Sequence, residues 1–233
     1  AVLNRDDASG EVFAAATRAK IAWYSRLAVE VRHVGMPVRI MRMHPRVVEL
    51  EVERVVLSSR LGGEFGLMNA LAVLATALAA GISLTAIREA FERFPGVPGR
   101  LEYVQEEPFS VVVDYAHTPD ALESVYRTLS GLGAKPPIPE SKLICVFGSA
   151  GGGRDRWKRP EFGEIASQYC SQIVLTSEDP DDEDPAAIIE EIAAGIPHSQ
   201  FLKITDRNEA IKRAIAEAEP GDTVVITGMG AQP

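Results

Sequence analysis

The sequence predicts an α/β protein in two parts, and three features of the 233 residues carry that expectation. From residue 111 onward, short apolar runs alternate with helical stretches, which implies a parallel sheet covered by helices on both faces. Before them, a β-rich stretch from Pro37 to Leu57 leads into two helices. Between these parts lies Pro95-Gly96-Val97-Pro98-Gly99, a stiff linker that puts a domain boundary near residues 101–108.

Taken in order, Ala1-Val2-Leu3-Asn4 reads as the end of a strand followed by the turn Arg5-Asp6-Asp7. A start in mid-strand without an initiator Met points to a fragment. Residues 10–29 suit a helix. Val38/Ile40 and then Val48/Leu50/Val52 alternate with polar neighbours, the period-2 pattern of half-buried strands, and His44-Pro45 separates the two runs. Gly62-Gly63 opens an Ala/Leu-rich helix from about Leu67 to Ala80, closed by Gly81, and a second helix runs from Leu84 to Phe94. In the second part, Val111–Val113, Leu143–Phe147, Ile173–Thr176 and Val224–Thr227 are strands. Helices are expected over 119–131, 160–169, 185–194 and 207–218. Thr118 and Pro119 start the first of these, and Asp206 with Glu209 makes a capping box for the last.

Composition narrows the function classes. The apolar share is 46%, enough for a core, so neither a disordered tail nor a fibre is expected. The longest apolar run, Ala70–Ala80, is too short to span a bilayer, and no signal peptide opens the chain, so a membrane partner is not expected. Cys145 and Cys170 are too few for a disulfide framework or a Cys-rich zinc site, and a reduced, cytoplasmic setting follows as the expectation. The formal charge of −9 is uneven: residues 1–60 sum to +3, 61–160 to −1 and 161–233 to −11. Phosphate neutralisation needs clustered Lys and Arg, so nucleic acid is not an expected partner of the acidic last third.

Three strand ends carry residues suited to chemistry, and ligands of parallel sheets bind beyond the carboxyl ends of strands. In the first, Val113-Asp114-Tyr115-Ala116-His117-Thr118-Pro119, Asp114 could accept ribose hydroxyls, and His117 beside a helix N-terminus suits a phosphate. Equally, both side chains could satisfy loop backbone groups. The second runs from Gly148 to Pro160, with four glycines followed by Arg154, Arg156, Lys158 and Arg159. It matches neither standard phosphate-loop spacing but offers cations to anionic oxygens. The third, Thr176–Pro185, holds six carboxylates without the spacing of a calcium loop, and its plainer reading is a solvated turn capping the next helix. His33, His44 and His198 are scattered and receive no metal role, and Ser149 lacks His and Asp partners for a nucleophilic triad.

The string Asp114-Tyr115-Ala116-His117-Thr118-Pro119, preceded by Val97-Pro98-Gly99-Arg100-Leu101-Glu102, resembles the Mur ligases. More narrowly it is similar to the MurE type, ligases that add the third residue to UDP-N-acetylmuramoyl-dipeptide. Gly152–Arg156, Lys158–Pro160, Thr176–Pro185, Thr227–Gln232, Asn4–Asp7 and Gly63–Asn69 extend the likeness along the chain. The resemblance implies residues 1–104 as the C-terminal part of a P-loop-type central ATPase domain. It implies 105–233 as a Rossmann-like C-terminal domain, missing its last residues, that receives the amino acid. Implied ATP contacts are Asn69, Arg100, Asp114 and His117. Implied amino-acid contacts are Arg154, Glu178, Asp179, Asp181, Gly228 and Gln232. Mg²⁺ is implied as well, but its ligands, the phosphate loop and the carbamylated Lys belong before Ala1. No catalytic or metal residue is therefore assigned within the chain, which is not expected to ligate alone. Its partners would be small molecules (ATP, UDP-MurNAc-peptide, an amino acid), and a monomer is expected.

Departures from the family pattern bear on the substrate. Gly66 stands in place of the first Asn of G-x-F-N-x-x-N. The D-N-P-R of diaminopimelate enzymes reads Glu178-Asp179-Pro180-Asp181, exchanging an Arg that would meet a distal carboxylate for an Asp that would meet a cation. Lysine or ornithine, rather than diaminopimelate, is then the expected substrate. Gln232 stands where a Glu is usual. The alternatives are a cyanophycin-synthetase-like or folylpolyglutamate-like ligase, or a non-catalytic nucleotide- or amino-acid-binding module.

Overall fold

Strand β1 (Val2–Asn4) pairs in parallel with β2 (Ala22–Ser25), and α1 (Ser9–Ala16) connects them. The computed structural model describes residues 1–27, 30–32, 36–130, 141–153, 155–197 and 201–231. The helix expected over 10–29 ends at Ala16 because Ala22-Trp23-Tyr24-Ser25 lies beside Val2–Asn4 as a strand. The aromatic pair favours extended backbone, and Ala22 and Ser25 are buried. From β2 the sheet continues antiparallel through β3 (Glu30–Arg32), β4 (Met36–His44), β5 (Val47–Val52) and β6 (Val55–Ser59), in sequence order. Val48, Leu50 and Val52 are fully buried and their Glu neighbours half-buried, as the alternation requires. Glu53 and Arg54, both at positive φ, form the two-residue turn into β6.

Helix α2 (Gly63–Ala79) lies on this sheet and buries Leu67, Ala70, Leu71, Leu74 and Ala75, an i, i+3, i+4, i+7, i+8 stripe. It starts four residues before the expected Leu67, at Gly63 (φ 70°), and Gly81 (φ 78°) ends it. Helix α3 (Leu84–Arg93), capped by the Ser83 hydroxyl, packs on β6. Gly66, the departure noted above, is buried, and a Cβ there would run into the Leu61 carbonyl oxygen. This helix start therefore has no room for an Asn.

The backbone divides into Ala1–Gly96 and Val97–Pro233. The division precedes residues 101–108 because Glu102–Gln105 forms a strand the sequence pattern did not announce, β7, antiparallel to β8 (Ser110–Val113). Then follow α4 (Pro119–Leu129), β9 (Leu143–Phe147), α5 (Lys158–Tyr169), β10 (Gln172–Leu175), α6 (Pro185–Ala193), β11 (Phe201–Lys203), α7 (Arg207–Glu217) and β12 (Thr223–Ile226). The sheet order is β11-β10-β9-β12-β8-β7, and every strand but β7 is parallel to its neighbours. Helices α4, α5 and α6 cover one face with a core that includes Tyr126, Phe147, Phe162 and Ile192. Helix α7 covers the other through Ala210 and Ala214.

Two local expectations are corrected. Thr118 occupies the N-cap of α4, but its side chain accepts no capping hydrogen bond. Asp206 accepts from the Glu209 amide at 3.0 Å, whereas the Glu209 carboxylate pairs with Lys212. The cysteines, expected reduced and separate, form a disulfide. Cys145 in β9 and the residue ending α5, Cys170, come to a Cα–Cα distance of 6.0 Å, a proximity 25 residues of sequence do not reveal.

Candidate functional site

Because β8, β9, β12 and β10 are parallel, their carboxyl ends share one edge, where the chain leaves as the loops beginning at Asp114, Gly148, Thr227 and Thr176. The Asp114 amide donates to Ile226 O, Thr176 N to Phe147 O, and Thr227 N to Val146 O, extending the ladder into the loops.

At the first loop, the structure brings Arg100, Asp114 and His117 together. Asp114 is buried, and its two oxygens accept from the amides of Leu101 (2.7 Å) and Ala116 (2.8 Å). Burial raises its pKa, against the lowering from those two amides and Arg100. The Arg100 guanidinium lies 4.7 Å over the Tyr115 ring, and the His117 ring meets the same tyrosine edge-on. His117 Nδ1 is 2.8 Å from Tyr115 O, a pure acceptor, so Nδ1 carries a proton. Both side chains thus satisfy loop backbone groups, Asp114 with both oxygens and His117 through Nδ1, and the Arg100 side chain beside them is exposed. In the first unit, Asn69 is exposed on α2 and lines a largely apolar cavity of about 360 Å³ with Ser59, Leu61, Val73, Phe91 and Phe94.

At the second and third loops, glycines let two backbones touch. A Cβ at Gly148 would strike Thr176 O, and one at Gly151 would strike Pro180 O. Gly151 N donates to Asp179 O at 2.7 Å, and Gly153 N to the Glu183 carboxylate at 2.9 Å. The acidic turn is thus laid along the glycine loop. Asp184 caps α6 by accepting from the Ala186 amide, so part of the plainer reading applies. Glu178, however, points inward: a Cβ on Gly228 would overlap its carboxylate, and burial raises its pKa against the opposing charges of Arg207, Lys158 and His117. Among the described residues, Glu178 and Asp181 make no hydrogen bond through their carboxylates. Asp181 (φ 50°) sets Oδ2 where a Cβ on Gly152 would be 2.7 Å away. Arg154 and Gln232 lie outside the described residues. No cluster of three or more potential metal-ligating side chains occurs among the described residues.

Residues the sequence reading left without a role complete the edge. Lys158 Nζ donates to His117 O at 3.2 Å, and Arg207 donates to Ser177 O (3.3 Å) and Thr227 O (2.9 Å), spanning the end of β9. Arg159, fully buried, binds Glu183 and Glu191. Lys158 and Arg159 belonged to a basic run already noted; Arg207 carried no signal beyond following a helix cap.

Residues 99–230 match the family model described as Mur ligase, glutamate ligase domain. The chain belongs to the Mur ligase family. A relative from Thermosynechococcus vestitus, named UDP-N-acetylmuramoyl-L-alanyl-D-glutamate--2,6-diaminopimelate ligase, is 48% identical over 178 residues, 75% of this chain and 34% of its own length. A protein of the same name from Halalkalibacterium halodurans is 39% identical over 233 residues, covering 99% of this chain and 46% of that one. The solved structure of a UDP-N-acetylmuramoyl-L-alanyl-D-glutamate--2,6-diaminopimelate ligase superimposes with a TM-score of 0.60 at 34% identity, over 98% of this chain and 47% of that one. This Mur ligase chain therefore spans less than half the length of those relatives, and its second unit is the Rossmann-like C-terminal domain of the family. Among the described residues, no helix is long and apolar enough to cross a membrane.

Proposed function

We propose that the chain is part of a MurE-type ligase that joins an amino acid to UDP-MurNAc-dipeptide at the expense of ATP. The observation that carries this reading is the paired loop edge at the carboxyl ends of parallel strands, in which Glu178 stands near His117, Lys158 and Arg207 and Asp181 lies against Gly152 of the glycine loop. ATP supplies the phosphoryl group that turns a carboxylate into an acyl phosphate, and no side-chain cluster among the described residues fits a Mg²⁺ ion. In the second unit Arg100, Asp114 and His117 orient the nucleotide, and in the first unit Asn69 is a further ATP contact on the family pattern. Lys158 and Arg207 favour the ionised form of Glu178 against its burial, and that carboxylate receives the amino group of the incoming residue. Asp179 shapes the turn, Gly228 gives Glu178 its room, and Arg154 and Gln232 complete the amino-acid contacts.

The residue added carries a side-chain amino group. Asp181 in place of an Arg favours lysine or ornithine, whereas the relatives named above are diaminopimelate ligases. The test is ATP turnover by the full-length ligase with lysine, ornithine and meso-diaminopimelate. Faster turnover with lysine or ornithine is expected. Faster turnover with diaminopimelate rejects that preference and retains the ligase, and no turnover with any of the three rejects the ligase reading.

A further inference from the structure

Arg159 is the largest fully buried side chain of the described residues, at 0% exposure, and it is charged. Nη1 donates to Glu183 Oε2 and Glu191 Oε2, each at 2.8 Å, and Nη2 donates to Glu183 Oε1 at 2.9 Å and Ala150 O at 3.1 Å. One guanidinium thus joins four segments: α5, which carries it; the glycine loop, through Ala150; the acidic turn, through Glu183; and α6, through Glu191. Arg159 holds the Glu183 carboxyl down to about 2, and the Gly153 amide adds to the effect. Arg156 pairs with Glu191 at the rim.

Nothing about helix stability asks for this residue. A cation in the first turn of α5 opposes the helix dipole. Burying a guanidinium costs several kcal/mol, which its partners repay only when well placed, so an apolar side chain of similar size serves a core as well. The bidentate fork gives something an apolar residue cannot, a fixed angle between two carboxylate-bearing segments. Five residues before Glu183 in the same turn comes Glu178, and two before it comes Asp181.

We infer that Arg159 is the positioning residue of the amino-acid site: by locking Glu183 and Ala150 together it sets where Glu178 and Asp181 stand, without touching the substrate. This inference rests on the reading of Glu178 and Asp181 as amino-acid contacts, and it adds a residue that governs amino-acid binding from outside the contact shell. ATP contacts at Arg100, Asp114 and His117 are held by a different set of bonds, so the two substrates should respond differently.

The experiment uses the full-length ligase with R159M, R159K and E183Q. Expected for R159M is an amino-acid KM raised roughly tenfold or more, the scale on which small displacements act, with the ATP KM within about twofold of wild type. R159K restores part of the loss, and E183Q reproduces it from the other side, which keeps the test open if R159M does not fold. Amide exchange at Gly151 and Gly153 is expected to accelerate in all three variants. Unchanged exchange overturns the lock, and equal rises in both KM values overturn its assignment to the amino acid. Faster exchange with an unmoved amino-acid KM overturns the inference by a different route, because the lock then exists but the acidic turn is not the amino-acid site.

Discussion

Glu178 shows how one side chain is tuned by everything packed around it. Burial raises its pKa, and Arg207, Lys158 and His117, in that order, pull it back, while Asp179 raises it. A carboxyl group with a raised folded pKa is stabilising in its protonated form: that contribution is complete below the unfolded value and is lost as pH rises through the folded one. The ionised form is therefore held at a cost to stability, and on the proposed reading it is the form that attracts a cationic amino acid. As pH falls through the raised pKa, the amino-acid KM should climb. Arg207→Met removes the strongest opposing charge, so the climb should begin at higher pH, and Arg207→Lys should keep the profile near wild type. Amino-acid KM measured against pH in the full-length ligase checks this, and superimposable profiles for R207M and wild type would refute the role given to Arg207.

At the scale of elements, α5 and α6 pack together where glycines let their backbones touch. A Cβ on Gly163 of α5 would strike Ile192 O, and one on Gly195 after α6 would strike Pro160 O, so a glycine serves the contact from each side. Gly163→Ala should gain about 1 kcal/mol in helix propensity and lose more to overpacking, toward the upper end of about 1–3 kcal/mol. The net effect expected is destabilisation, read as a lower denaturation midpoint; a higher midpoint would contradict the close approach. Neither glycine could be given this job from sequence, because the contact joins residues about 30 apart. By contrast, β9 was legible to the residue, since Leu143–Phe147 is apolar on both faces and only a central parallel strand needs that. β7 and β11 escaped notice because edge strands of three or four residues carry too little apolar pattern. The false helix over 10–29 arose where pairing with Val2–Asn4 overrode local composition. The candidate site was half legible: Asp114 and His117 stood out as polar residues at a strand end, and Glu178 was singled out from its acidic turn only by the family resemblance, while Arg207 and the lock at Arg159 depend on bonds no spacing encodes.

For the molecule as a whole, the junction of the two units is the remaining question, and Asp114 bears on it. The segment after Val97 is tied into the second unit: Arg100 N donates to Val97 O, Gly99 N to the Glu102 carboxylate at 2.7 Å, and Leu101 N to Asp114. Gly99 sits so close to Gly230 and Ala231 that a Cβ would not fit, whereas a Cβ on Gly96 (φ 103°) would meet nothing. The segment from Val97 on is therefore part of the second unit, in which Gly99 is fixed by close backbone approach. An exposed Arg100 would ordinarily invite trypsin, but cleavage needs several residues to leave their bonds and extend, and local opening is what proteolysis reports. The Arg100–Leu101 bond should thus resist trypsin in the native chain. Asp114→Asn leaves one oxygen for two amides and turns an NH₂ toward the other, a loss of about 1–3 kcal/mol. Cleavage after Arg100 should then accelerate while the sheet of the second unit stays folded. Rapid cutting at Arg100 in the native chain would show instead that Asp114 does not fasten the linker.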